Sequence, residues 1–179
     1  MIRIGQTDVS FDHKAFSFDW FSFQHELAPV LARALSANEA AAVAAFVDSH
    51  RNACSSPYDG EPLDAGWQET LENGDLQEIA DFALTKYYDP SADHGLNGSW
   101  ADVESRMAPT GRAALLGSPF VAPAGTLFDP GRMGSYFQSP ERVHASLETL
   151  RKLGFPELAA FVEFLTVVVA DSRGLYVTF

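Results

Sequence analysis

The residues of this chain that could do chemistry are five histidines, one cysteine and many carboxylates. His94 lies beside Asp93 and a few residues after Asp89. An imidazole next to two acids could ligate a metal or act as a base. Asp89, Ser91 and Asp93 also keep the rhythm of a calcium loop, but His94 stands where that loop needs Gly and Trp100 where it needs a bidentate Glu. His25-Glu26 opens like a zinc-protease helix, yet Pro29 occupies the second His position. Cys54 is alone and the next base after it is Lys86, so nothing nearby in sequence activates the thiol. His50 shares a helical face with Val43, Phe46 and Val47 and reads as a core-edge residue, while His144 flanks an apolar stripe. The chain has no G-x-G-x-x-G, no G-x-x-x-x-G-K-[ST] and no G-x-S-x-G. No catalytic residue, cofactor or metal is therefore expected.

Charge is the stronger signal. The net charge is −12, and it is concentrated. Between Asn52 and Glu104 there are twelve acids and one base, Lys86, which leaves the rest of the chain nearly neutral. Such a field repels phosphate backbones and anionic lipids and attracts basic partners. The alternative is a solvated face that only aids solubility. Aromatic residues are interleaved with the acids, so the partner-binding set is expected to be Asp64, Trp67, Glu69, Glu72, Asp75, Glu78, Tyr88 and Trp100.

These residues need a scaffold, and the clearest part of it is the C-terminal third. Ser135–Gln138 reads as a strand. Ser139-Pro140-Glu141 reads as a helix start, Val143, Leu147, Leu150 and Leu153 as its inner face, and Gly154 as its stop. Pro156 opens a second helix whose apolar residues run nearly all round, so it is expected to be the central buried helix. Leu175, Val177 and Phe179 alternate as in a half-buried strand, with Met1–Ile4 as one natural partner. Earlier, Phe16, Phe18 and Trp20 alternate too, with a bulge or helix start near Asp19. A helix over Glu26–Leu35 should start late because of Pro29. Ser36-Ala37-Asn38-Glu39 resembles a capping box that opens a helix running to about Asn52. The acidic segment, residues 59–107, should hold a short helix over Pro62–Leu71 and a helix capped by Asp75. Arg112–Leu116 fits either strand or helix. Residues 117–134, rich in Gly and Pro, should form a long irregular loop.

At 179 residues the chain should be a single α+β domain. Its small antiparallel or mixed sheet would include strands from both ends, packed with five or six helices. No apolar run is long enough to span a bilayer, no secretory leader is visible, and the lone cysteine suits a reducing, cytoplasmic setting. The expected function is binding a basic protein, with no nucleic acid and no membrane as partner. The general character, small, acidic and without catalytic motifs, is that of immunity proteins that neutralise toxins. The alternative is a small-molecule binder or enzyme with a pocket walled by the 117–134 loop, where Arg132 and His94 would contact the ligand.

Overall fold

A computed structural model describes residues 11–179. Among them are three strands and eight α-helices. The strands are β1 (Lys14–Phe18), β2 (Ser135–Gln138) and β3 (Gly174–Thr178). They form one antiparallel sheet in the order β1-β3-β2, so the last strand in sequence is the central one. The α+β expectation holds, with strands from both ends of the chain. The proposed Met1–Ile4 strand lies outside the described residues.

The helices are α1 (Trp20–Glu26), α2 (Ala28–Ala37), α3 (Ala41–Ser49), α4 (Leu76–Leu84), α5 (Trp100–Ser105), α6 (Pro109–Leu116), α7 (Pro140–Leu153) and α8 (Ala159–Ala170). The sheet divides two cores because alternate residues of a strand point to opposite faces. Phe16, Phe18, Phe137 and Tyr176 face a cluster built with α1–α4, Trp67 and Phe128. Ala15, Leu175 and Val177 face a second cluster built with α5–α8. The first core is largely aromatic: Phe23 stacks on Phe137 at 5.5 Å, and Phe137 on Tyr176 at 5.0 Å. Each such ring contributes about 1.5–3 kcal/mol on burial.

Both edges of the sheet are covered. Along β1, the 89–98 loop donates from His94 N to Ala15 O at 2.9 Å and from Asn97 N to His13 O at 2.9 Å. The loop fits so closely that a Cβ on Gly95 would sit 1.9 Å from the His13 carbonyl oxygen. Beyond β2, Ser118 and Phe137 exchange both backbone hydrogen bonds, at 3.0 and 2.8 Å. Covering an edge in this way removes unpaired N–H and C=O groups that would template association.

The helix signals had mixed outcomes. Asp19 caps α1 by accepting from Ser22 N, and Pro29 lies in the first turn of α2. Helix α7 follows its signals closely: Ser139 accepts from Arg142 N, and Gly154 closes the helix at φ 63°. The capping box at Ser36–Glu39 does not form. Ser36 completes the last turn of α2, Asn38 adopts a left-handed conformation at φ 54° to end it, and α3 begins at Ala41. Asn tolerates that conformation better than most residues, which lets the preceding helix run through the motif. The expected helix over Pro62–Leu71 is a single 3₁₀ turn, Trp67–Thr70. The Asp64 carboxylate accepts from Gly66 N at 2.7 Å and locks a local turn instead. Arg112–Leu116 resolves as helix, within α6. Helix α8 is not the central buried helix. It buries Phe161, Leu165 and Val168, but Val167 is 58% exposed. The more deeply buried helix is α4, where Leu76, Ile79, Ala80, Phe82, Ala83 and Leu84 are all covered.

Candidate functional site

The acidic segment divides into exposed and buried carboxylates. Asp59, Glu61, Asp64, Glu69, Glu72 and Asp75 are exposed. Glu78 is not, at 5% exposure. Its carboxylate accepts from the backbone N–H groups of Glu72 (2.6 Å), Asn73 (2.8 Å) and Gly74 (2.7 Å), and from the Tyr58 hydroxyl (2.8 Å). Burial alone would push this carboxyl up. The four donors outweigh it and leave the group below its ordinary value, hence ionised. Glu78, one of the residues expected to face a partner, is therefore turned inward, where it ties the acidic loop to α4. Asp75 remains exposed, but its side chain caps α4 by accepting from Glu78 N at 2.9 Å.

The expected aromatic anchors are also inward. Trp67, Tyr88 and Trp100 are 1%, 9% and 4% exposed, because each serves a core before it can serve a surface. Trp67 donates from Nε1 to Asp48 at 2.9 Å and packs on Phe82. Trp100 stacks on His13 at 5.0 Å.

Two hollows result. The first is a groove of about 290 Å³ lined by Tyr58, Leu63 and Trp67 together with Asp59, Glu61 and Asp64. The segment that frames it is held at several points. Ser55 bridges to Pro62, Ser56 N donates to Glu61 O at 2.9 Å, and Glu78 fixes the far end.

The second hollow is a cavity of about 390 Å³ between the sheet and the loops at one end of it. Phe16, Tyr88 and Tyr176 line one part of it and Tyr58 another, so Tyr58 borders both hollows. Asp81, from α4, lines the cavity, as do Lys14 and Asp93. Asp93 is engaged by the backbone, accepting from Ala15 N at 3.0 Å and Gly95 N at 2.8 Å. Asp81 makes no hydrogen bond or ion pair among the described residues. Burial, reinforced by the charge of Glu78, pushes its carboxyl up to about 7. The hydroxyls of Tyr88 and Tyr176 are raised too, by burial first and then by Asp81.

The 117–134 loop reaches the cavity through Pro130 and Gly131. Arg132 does not line it. Its side chain is exposed and makes no ion pair among the described residues, and its backbone is left-handed at φ 57°. His94 does not line it either, and stacks on Phe164 at 4.4 Å. Sequence reasoning does not single out Asp81 as a cavity-lining residue, since it is one acid among many. Its one distinction is a place between Ala80 and Phe82, on a helix whose other residues are mostly apolar, and that signal is weak.

Two further groups are structural. His13 is fully buried and accepts from Leu96 N at Nδ1 (3.1 Å), while Nε2 lies 3.3 Å from Leu115 O. Burial pushes its pKa down to about 4, so it is neutral. Cys54 is buried, and burial pushes its thiol up to about 11, far from a nucleophile's range. Among the described residues no three His, Cys, Asp or Glu side chains are grouped to hold a metal ion, and no helix is long and apolar enough to cross a membrane. Asp89, from the calcium-like stretch, accepts from Ser91 N and Oγ in a local turn. No family model, no curated protein and no solved structure matches this chain.

Proposed function

We propose that this protein binds a basic partner protein through the acidic segment and blocks it sterically, in the manner of an immunity-type inhibitor. The observation that carries the reading is the groove lined by Tyr58, Leu63 and Trp67 together with Asp59, Glu61 and Asp64. A groove that combines apolar and acidic side chains suits the aliphatic stem and charged head of Lys or Arg. The framing segment is fixed before binding, so little ordering entropy is lost on association. Lys86 does not neutralise this face, since its ammonium pairs with Glu26 and lies over the Tyr87 ring.

The test uses charge reversal at Glu61, Glu69 and Glu72, whose side chains carry no hydrogen bond among the described residues. Glu78 and Asp75 are left intact, because reversing them would damage the segment itself. A basic protein retained from lysate of the source cell should be lost by the reversed variant. The purified pair should then associate at least about tenfold more slowly at 0.5 M than at 0.05 M salt. The partner's own activity should fall on binding. Retention of the same protein by the folded variant, or a salt-independent on-rate, would sink the reading.

A further inference from the structure

We infer that the cavity between Tyr58, Tyr88 and Tyr176 is a binding site for an organic ammonium group, with Asp81 as its counter-ion. The cavity is walled by an aromatic cluster: Tyr88 lies 4.8 Å from Phe16 and 5.0 Å from Tyr176, ring centre to ring centre. Ring faces and phenol oxygens present negative potential, which favours a cation. Asp81 reaches this space without a partner among the described residues, whereas the acids around it are already used. Glu78 is saturated by three backbone N–H groups and Tyr58, and Asp93 is held by two backbone N–H groups. A carboxylate left free in an aromatic hollow is unfavourable until a cation arrives.

The charges disfavour an anion. Two carboxylates line the cavity against one amine, Lys14, which is exposed on β1 and forms no ion pair with either. The size fits as well: about 390 Å³ exceeds a bare ammonium ion and accommodates a short alkyl chain with its head group. That chemistry has two sources, a free small amine or a lysine side chain on a protein. The site stands apart from the acidic groove, which borders the cavity only at Tyr58.

Calorimetric titration of the full chain at pH 8 tests it with n-butylammonium and with n-butanol, its neutral counterpart. The ammonium should bind at least tenfold tighter than the alcohol, and Asp81→Asn should remove that difference. The Asn variant should fold, because it deletes a charge that the free cavity leaves unpaired, and its melting curve checks this. Affinity for the ammonium should also drop as pH falls through about 7, where Asp81 takes up a proton. Lys14 and Asp93 line the same cavity, Asp93 held by the N–H groups of Ala15 and Gly95. Glu78 from α4 is held below its ordinary value, while Tyr58, Tyr88 and Tyr176 are raised above theirs. Equal binding of ammonium and alcohol by the wild type, or undiminished ammonium binding by a folded Asp81→Asn, overturns the inference. A blocked single-lysine peptide separates the two sources. If it binds tighter than butylammonium and loses that gain in the Glu61, Glu69 and Glu72 reversal, the ligand is a protein lysine. If it binds no tighter, the ligand is a free amine.

Discussion

His13 joins three parts of the chain through one uncharged ring. It takes a hydrogen bond from Leu96, approaches the Leu115 carbonyl and stacks on Trp100. Its pKa falls from 6.5 to about 4 on folding, mainly through burial, so the unfolded chain binds the proton more readily. Stability contributed by this residue is therefore full above about pH 6.5 and is lost as pH falls towards 4. The whole loss amounts to about 3 kcal/mol. Urea unfolding from pH 8 to 4 should show it as a slope that is shallower in His13→Gln, whose amide cannot charge. Equal slopes in the two proteins would refute the assignment. Nothing in the sequence marks this histidine, because a lone His before a strand has no pattern. Asp81 is hidden for a different reason. What sets it apart is that it lines a cavity without a hydrogen bond or ion pair among the described residues, and only the folded surroundings reveal that.

At the scale of elements, the 72–74 end of the acidic loop is tied to α4 by one side chain, Glu78. Glu78→Gln leaves one acceptor oxygen where the carboxylate presents a pair of oxygens to three N–H groups and the Tyr58 hydroxyl. Orphaned buried donors are costly, so the substitution should lower stability by about 2–4 kcal/mol in urea unfolding. Amides of Glu72, Asn73 and Gly74 should also exchange with solvent faster than in the wild type. Unchanged exchange at those positions would mean that the loop holds itself. Helix α7 is legible in the sequence because cap, first-turn proline, apolar stripe and left-handed glycine all agree. The Ser36–Glu39 motif misleads because a helix already in progress can overrun a start signal and use Asn38 to stop. The apolar character of Trp67 is plain, but local pattern alone does not say that a 3₁₀ turn will carry it inward.

For the whole molecule, the excess of acid acts against compactness. The exposed carboxylates from Asp59 to Asp75 have no base among them, and their repulsion is long-ranged at low salt. Raising sodium chloride from 0.02 to 0.3 M should raise the melting temperature by roughly 2–5 °C. A falling melting temperature would mean that ion pairs such as Arg106 with Asp102 and Glu157 dominate instead. The layered plan, a sheet with helices on both faces, is only partly legible. Alternation identifies β1 and β3, and aromatic content identifies β2, but their order depends on long-range pairing that no local pattern encodes.

That order has a consequence for synthesis. Strand β3 lies between β1 and β2, yet it is made after both. Neither flanking strand has its sheet partner until residues 174–178 leave the ribosome. The two earlier strands must therefore wait, with Phe16, Phe18 and Phe137 lacking their Tyr176 contact, for one short stretch to arrive. Both cores should close only once that stretch has emerged, and the waiting interval is when a chaperone would be of use.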